Sequence, residues 1–156
     1  MKIQRNGSAQ WSGGIKDGKG SISTESGALK SYPYGFASRF EGKPGSNPEE
    51  LLGAAHAGCF TMALVAQLSG AGFTPTEIQT EAKVSFDKVG DGFAITRVDL
   101  QTSADVAGLD DVTFQGLAAD AKKNCPVSKA LAAIDIGMKA TLKQTERAPA
   151  ATVEKD

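Results

Sequence analysis

The sequence SNPEELLGAAHAGCFTMALVAQLSG, residues 46–70, determines the architecture that we expect for this chain. It opens with a capping residue, then Pro48 and two acidic residues, which is the pattern of a helix N-terminus. The apolar residues that follow carry no charge, and Gly70 and Gly72 are typical of a helix end. The sequence therefore predicts a helix from about Pro48 to Ser69.

This helix is apolar on almost every face between Leu51 and Leu68. A helix that is apolar all round is normally buried on all sides. A 156-residue monomer has few ways to surround a helix about 30 Å long. We therefore expect a dimer in which sheets wrap paired central helices. The uncharged run over residues 51–75 is long enough to span a bilayer, but a buried central helix explains it better.

The rest of the chain mixes strand and helix patterns. Glycines punctuate residues 1–45, which predicts a small meander of hairpins. A period-two alternation over 78–86, a turn at Asp91-Gly92 and a return strand to Ser103 predict an antiparallel pair with one solvated face. Helices are expected over 110–123 and from Cys125-Pro126 to about Ala133, and a strand over 135–143. The predicted class is α+β.

Composition narrows the classes of function. The chain has 17 Lys and Arg, 18 Asp and Glu, one His and two Cys. The length of the chain predicts a single domain over residues 1–145. Residues 146–156 contain almost no core-forming residue, so we expect a frayed tail there. A near-neutral charge argues against a nucleic-acid partner, and one His with two Cys argues against a structural zinc site. Residues 1–8 lack the apolar stretch of a secretory signal, so we expect a cytoplasmic protein with reduced thiols.

The two cysteines carry the main chemical signal. Cys125 lies at a predicted helix start, where unpaired N–H groups lower the pKa of a thiol. Cys59 lies in the middle of the long helix and needs an external cation, for which an arginine is the obvious choice. These residues alone do not decide which thiol meets a substrate first, and both could be inert buried side chains. His56, one turn before Cys59, is either a base or, more simply, a hydrogen-bonded core residue.

Several motifs resemble one known family. NPEELLGAAHAGCF (residues 47–60) is similar to the signature of the OsmC/Ohr family, the osmotically inducible protein C and organic hydroperoxide resistance proteins, and NCPVS (124–128) resembles its second motif. Further similarity lies in PYGF, RFEG, GFTP and GFAIT, which begin at residues 33, 39, 72 and 92. The resemblance covers most of residues 1–143. The glycine-rich N-terminal region and RFEG are closer to the OsmC branch than to the Ohr branch.

The resemblance implies a thiol peroxidase without metal, haem or another bound cofactor. In the family the helix cysteine attacks the peroxide, a role that falls on Cys59, and the cysteine before proline resolves the sulfenic acid to a disulfide, a role that falls on Cys125. The residues that match the assisting pair are Arg39 and Glu49, which would form a bidentate ion pair. The family fold is an intertwined homodimer with long buried central helices wrapped by antiparallel sheets.

The implied function is the reduction of organic hydroperoxides, and of hydrogen peroxide less efficiently, in oxidative and osmotic stress defence. We expect apolar walls at Cys59, from Phe60 and Met62 among others, to favour organic substrates. The reductant would be an external dithiol, for example of the dihydrolipoyl type, since no motif binds nicotinamide or flavin. No nucleic-acid or membrane partner is expected.

Three alternatives stay open for Glu49, which precedes Cys59 by ten residues, or roughly 15 Å of straight helix. The helix breaks near Gly53, or the acid acts through Arg39, or it serves the cysteine of a partner chain. Two rival functions also remain. One is a redox sensor or binding protein that uses the same cysteine pair without significant turnover, and the other is a structural or ligand-binding dimer with inert thiols.

Overall fold

The structure is a computed structural model that describes residues 1–144. The predicted frayed tail, 146–156, lies outside the described residues. Contacts divide the chain into two compact units, Met1–Leu52 and Gly53–Asp156, which are described separately below. The single domain that the sequence predicts over residues 1–145 stays a prediction.

In chain order, the elements are β1 (Gly7–Ser12), β2 (Lys19–Thr24), β3 (Tyr32–Tyr34), α1 (Phe36–Phe40), α2 (Pro48–Gly70), β4 (Glu77–Val89), β5 (Gly92–Asp105), α3 (Asp111–Asn124), α4 (Pro126–Ala130) and β6 (Asp135–Lys143). The mixture of helices and strands confirms the predicted α+β class.

The first unit is the predicted meander of hairpins. β1, β2 and β3 form an antiparallel sheet in that order. Gly20 faces the rings of Trp11 and Tyr34, where a Cβ atom would come within 2.6 Å of both. A side chain at this position would therefore separate the rings, which explains the glycine. The short helix α1 was not predicted, because a helix of five residues has too little periodicity to be recognised in a sequence.

The first turn of α2 follows the predicted start signal. The Asn47 side chain accepts a hydrogen bond of 2.8 Å from the Glu50 backbone N–H, and Pro48 follows at the first helical position. The helix ends at Gly70, one residue beyond the prediction, and it is continuous through Gly53. A helix break at Gly53, the first alternative for Glu49, is therefore wrong.

The second unit contains a three-stranded sheet in the order β4-β5-β6. β4 and β5 are antiparallel, and the turn between them is Gly90-Asp91, one residue earlier than predicted. β6 pairs with β5 in parallel, so the expectation of antiparallel sheets is wrong for this strand. The reason is the long connection through α3 and α4, since a crossover of this kind returns the chain in the same direction as the strand it left.

One face of α2 packs into the core of the second unit. Phe60, Leu64 and Leu68 are fully buried there with apolar side chains of β5 and α3. The opposite face is exposed and uncharged, and Met62 on it is 76% exposed. One chain thus buries only one side of the helix that the sequence predicts to be buried all round. α2 is also long and apolar enough to cross a membrane. The core helices of soluble proteins meet the same criteria of length and composition.

Candidate active site

Two free thiols, Cys59 and Cys125, lie in the second unit, where Cys59 packs against the buried core cluster that contains Cys125. Cys59 lies in α2, and Cys125 ends α3 and precedes α4, which Pro126 begins. Cys125 is fully buried, whereas Cys59 is partly accessible. The fold therefore brings together the two cysteines that lie 66 positions apart in the sequence, and a reagent from solvent has access to Cys59 first.

The N-terminus of α4 affects the acidity of both thiols. Burial raises the pKa of the Cys59 thiol; the backbone N–H of Val127 opposes this rise, and the neighbouring Cys125 adds to it. Burial also acts to raise the pKa of Cys125, but the N–H groups of Ser128 and Val127 and the side chains of Cys59 and Ser128 outweigh it. The pKa of Cys125 is therefore lowered and that of Cys59 raised, in agreement with the prediction that Cys125 is the more acidic thiol.

His56 is fully buried beside this pair and bonds to α4. Its Nε2 lies 2.8 Å from the Ser128 hydroxyl, while its Nδ1 has no hydrogen-bond partner among residues 1–144. Burial lowers the pKa of His56, so the ring is neutral near pH 7. The expectation of a hydrogen-bonded core histidine is thus correct for one nitrogen only. The partner, Ser128, was not recognised as a site residue in the sequence; its place three residues after Cys125 is the signal that could have found it.

The first unit contains the other two predicted residues, Arg39 and Glu49. The Arg39 Nη2 and Nε lie 2.7 and 3.2 Å from the same Glu49 oxygen, Oε1. The pair is therefore formed, but it is not the expected bidentate arrangement in which each nitrogen takes its own oxygen. The carboxylate of Glu49 is almost completely buried, and the guanidinium of Arg39 lies 5.6 Å from the Phe40 ring centroid.

A cavity of about 310 Å³ adjoins this ion pair in the first unit. Its lining is mostly aromatic and aliphatic, with one charged residue: Trp11, Ile15, Tyr34, Gly35, Phe36, Arg39 and Phe40. An apolar cavity with a single cation can hold an apolar molecule that carries one polar group. The sequence did not indicate the contributions of Trp11 and Ile15, because they come from the N-terminal hairpin and its turn.

The apolar residues expected to wall Cys59 are placed differently from the prediction. Phe60 is fully buried in the core and Met62 points to the exposed face of α2. Among residues 1–144, no group of three or more His, Cys, Asp or Glu side chains is arranged to hold a metal ion. The chemistry that the described residues offer is that of a thiol pair and an arginine–glutamate pair.

Comparison with known proteins agrees with this chemistry. The family described as OsmC-like protein matches residues 40–139. Peroxiredoxin OsmC of Escherichia coli (strain K12) is 57% identical over 133 residues, which cover 85% of this chain and 93% of that protein. This similarity shows that the chain is an enzyme of the peroxidase class.

Solved structures agree with the fold. The organic hydroperoxide resistance protein OhrB of Bacillus subtilis is 27% identical with a TM-score of 0.63, and the match covers 88% of this chain and 98% of OhrB. An organic hydroperoxide resistance protein from Elizabethkingia anophelis is 25% identical with a TM-score of 0.65, covering 93% of this chain and 100% of that one. Both share the α+β fold of two small sheets with helices. On these matches, the chain belongs to the OsmC family.

Proposed function

We propose that this chain reduces organic hydroperoxides through a two-cysteine cycle in which Cys59 attacks and Cys125 resolves. The observation that carries the proposal is that Cys59 packs against the buried cluster that contains Cys125, the residue immediately before α4. Two thiols can form a disulfide when their Cα atoms come within about 4.4–6.8 Å of each other. An isolated buried cysteine has no such partner, so the arrangement favours redox chemistry over an inert packing role.

The cycle balances in three steps. The Cys59 thiolate attacks the outer oxygen of the hydroperoxide, the O–O bond breaks, and an alkoxide leaves and is protonated to the alcohol. The Cys125 thiolate then attacks the sulfur of the Cys59 sulfenic acid, the S–O bond breaks, and the hydroxide leaves as water. An external dithiol reduces the resulting disulfide by thiol–disulfide exchange and is itself oxidised.

Accessibility supports this division of roles. Cys59 is partly accessible and Cys125 is fully buried, so a peroxide from solvent meets Cys59 first. The raised pKa of Cys59 means that its thiolate needs a cation during the attack. We propose that Arg39 supplies this cation and that Glu49 holds its guanidinium in place. This role is compatible with both remaining alternatives for Glu49. The acid either acts through Arg39 on Cys59 of its own chain or acts on Cys59 of a partner chain.

The preference for organic hydroperoxides is supported by the apolar cavity at Arg39. Its volume of about 310 Å³ suits an alkyl or aryl group, and the guanidinium would bind the peroxide end. Hydrogen peroxide has no apolar part to bury there. We therefore propose that organic hydroperoxides bind better than hydrogen peroxide.

We further propose that the chain works as a homodimer in the cytoplasm with an external dithiol as reductant. The exposed, uncharged face of α2 supports the homodimer, since a second copy of the same face would cover it. Residues of this face are small or apolar and lie on one side of the helix: Ala55, Gly58, Met62, Val65, Ala66 and Ser69.

Single-turnover and steady-state assays on two variants test the cycle. Cys59→Ser should abolish consumption of tert-butyl hydroperoxide with excess dithiol. Cys125→Ser should still form a sulfenic acid at Cys59, trapped by dimedone, but should form no intramolecular disulfide. Full activity of Cys59→Ser would overturn the proposal. Disulfide formation in the wild type without repeated turnover would favour a redox sensor instead.

The substrate and the reductant are tested in the same assay. Cumene hydroperoxide should give a higher kcat/KM than hydrogen peroxide, and dihydrolipoamide should support faster turnover than glutathione. Trp11→Ala enlarges the cavity and should lower kcat/KM for cumene hydroperoxide more than for hydrogen peroxide. The matched control is Tyr32→Ala, which removes an exposed aromatic side chain of the same sheet that does not line the cavity.

A further inference from the structure

We propose that Lys16 and Lys19 are specificity-determining residues, which raise the preference of the site for organic hydroperoxides whose apolar part ends in an anionic group such as a carboxylate. This role rests on the proposed peroxidase cycle and on the binding of the substrate in the apolar cavity at Arg39. It adds a second cavity of the first unit, with a volume of about 430 Å³, whose lining includes both lysines.

The two cavities share a wall. Tyr34, Gly35 and Phe36 line both of them, and these residues lead from the end of β3 to the start of α1. A molecule that is bound at Arg39 therefore needs to extend past this one segment to reach the lysines. The apolar cavity can hold the alkyl or aryl part, and the second cavity can hold a polar group at its far end.

The turn between β1 and β2 places Lys16 at this shared wall. The Gly18 backbone N–H donates a hydrogen bond of 2.8 Å to the Gly14 carbonyl oxygen and closes the turn. The Lys16 Nζ lies 5.9 Å from the centroid of the Phe36 ring, which lines both cavities. The neighbouring carboxylate of Asp17 lies back over the turn, where a Cβ atom at Gly14 would be 2.6 Å from its Oδ1.

Lys19 approaches the same cavity from the sheet. It is the first residue of β2 and pairs with Ser12 of β1, so its backbone is held on both sides of the hairpin. Both lysine side chains are exposed at the rim of the cavity. Two ammonium groups from two separate positions of the hairpin therefore border one cavity, which is the arrangement that attracts an anion.

The distribution of charge favours the lysines over Arg39 as partners of an anionic group. No acidic residue is found among the described residues that line either cavity. Neither lysine forms an ion pair within residues 1–144, whereas Arg39 is already bonded to Glu49 at 2.7 Å. The positive charge of Arg39 is thus largely compensated, and that of the lysines is not. Because the lysines are exposed, the effect should be a few-fold and should weaken with salt.

Binding can be measured without any peroxide, because Trp11 is the single tryptophan of the sequence, lines the apolar cavity and is 38% exposed. Its fluorescence should change when a ligand fills the cavity. The probes are decanoate and 1-decanol, which have the same alkyl chain and differ in charge, each used below the concentration at which it aggregates. Lys16→Gln/Lys19→Gln should weaken decanoate relative to 1-decanol by at least about threefold at low salt.

The matched control is Lys2→Gln/Lys30→Gln. These two lysines lie in the same unit and are exposed, but they do not line either cavity. The control removes the same net charge and should leave the ratio of the two affinities as in the wild type. In the wild type, about 0.5 M salt should shift the ratio toward that of Lys16→Gln/Lys19→Gln.

Selectivity in the reaction is measured with ω-hydroperoxydecanoate and its methyl ester. The ratio of their kcat/KM values should fall by at least about threefold in Lys16→Gln/Lys19→Gln and should stay unchanged in Lys2→Gln/Lys30→Gln. The ratio compares two substrates on one protein sample, so a loss of folded protein cancels. Equal ratios in the wild type and in Lys16→Gln/Lys19→Gln would overturn the proposal. It would also be overturned if decanoate affinity fell in Arg39→Gln but not in the lysine variant, because the carboxylate would then bind at Arg39.

The two readouts separate this proposal from the peroxidase cycle. If decanoate binding depends on the lysines but no hydroperoxide is consumed, the cycle fails and the anion site stands. If both hydroperoxides are consumed and neither ratio responds to the lysine substitutions, the cycle stands and the role of Lys16 and Lys19 fails.

Discussion

Two nitrogens of Arg39 share a single oxygen of Glu49, with Nη2 at 2.7 Å and Nε at 3.2 Å from Oε1. Both nitrogens donate to this oxygen, so the Nε–Nη2 edge of the guanidinium faces Glu49. Because the Glu49 carboxylate is almost completely buried, the ion pair is shielded from water on that side. This geometry gives Glu49 a definite task, which is to orient a cation rather than to complement the dipole of α2 alone.

Glu49→Gln should therefore lower kcat/KM for an organic hydroperoxide by about tenfold or more, because an amide holds the guanidinium less firmly than a carboxylate. The measurement is steady-state peroxide consumption with saturating dithiol. Glu50→Gln is the matched control, since Glu50 lies in the same helical turn and is exposed. This variant removes only the favourable interaction of an acid with the helix dipole, which contributes about 0.3–1 kcal/mol to stability. It should leave activity unchanged.

Equal activities of Glu49→Gln and Glu50→Gln would show that Glu49 is only a first-turn acid. Arg39→Lys gives an independent check, because lysine cannot offer two nitrogens to one oxygen. It should lower activity as Glu49→Gln does. Arg97→Lys, in an exposed ion pair with Asp99, should have no effect on activity.

The long helix was predictable because its signals are local. The capping bond from Asn47 and the proline at Pro48 act within one turn, and the structure places the helix within one residue of the predicted end. The strand over residues 135–143 was also predicted with its final bounds. Its parallel pairing with β5 was not predicted, since the direction of pairing depends on how the connection through α3 and α4 packs.

A charge on the exposed face of α2 should dissociate the proposed homodimer. Met62 is 76% exposed in one chain, and a symmetric interface would place two copies of the substituted residue close together. Met62→Glu should therefore raise the dimer dissociation constant by at least about tenfold, because like charges repel in a desolvated interface. Analytical ultracentrifugation over a range of concentrations measures this constant.

Val112→Glu provides the control for Met62→Glu. Val112 is an equally apolar residue of α3 that is 85% exposed, and it does not lie on the α2 face. This variant should associate as the wild type does. A wild type that sediments as a monomer at all concentrations would refute the homodimer. Val112→Glu dissociating as much as Met62→Glu would refute the α2 face as its interface.

Gly53 has a packing role that can be measured as stability. A Cβ atom at this position would lie 3.0 Å from the backbone oxygen of Ala82 in β4, which is too close. Overpacking of this kind costs about 1–3 kcal/mol, whereas replacing glycine in a helix gains up to about 1 kcal/mol. Gly53→Ala should therefore lower the free energy of unfolding by roughly 1 kcal/mol, measured by urea denaturation at fixed protein concentration.

Gly116→Ala is the matched control for Gly53→Ala. Gly116 lies within α3, and a Cβ atom there would meet nothing within 4 Å. Only the gain in helix propensity remains, so this variant should raise the free energy of unfolding by up to about 1 kcal/mol. If both variants changed the free energy of unfolding in the same direction, this would contradict the close approach of α2 to β4.

The site was only partly predictable from the sequence. The acidity of Cys125 follows from its position at a helix start, which is a local signal, and the structure agrees in direction. The bond between His56 and Ser128 joins residues 72 positions apart, and no local pattern marks such a contact. For the same reason the sequence did not identify Trp11 and Ile15 as cavity residues, since they line the cavity together with residues of α1 that are distant in the sequence.

Burial of His56 should make the stability of this protein depend on pH in a specific window. The pKa of His56 is lowered from its ordinary value of 6.5, so below that value the unfolded chain binds a proton that the folded chain does not. Because the unfolded state binds more protons than the folded state in this range, the free energy of unfolding decreases as the pH falls, by up to about 1.4 kcal/mol per pH unit. This contribution is fully present above 6.5 and is lost as the pH falls toward the folded pKa.

His56→Gln removes this titration. Denaturation at about pH 7.5 and about pH 5.5 should therefore show a smaller loss of stability on acidification in His56→Gln than in the wild type. The comparison uses the change between the two pH values, so a general loss of stability in the variant does not affect it. Ser128→Ala keeps the buried ring and should retain the wild-type change. If His56→Gln lost as much stability as the wild type, burial would not lower the pKa of His56 in the folded protein.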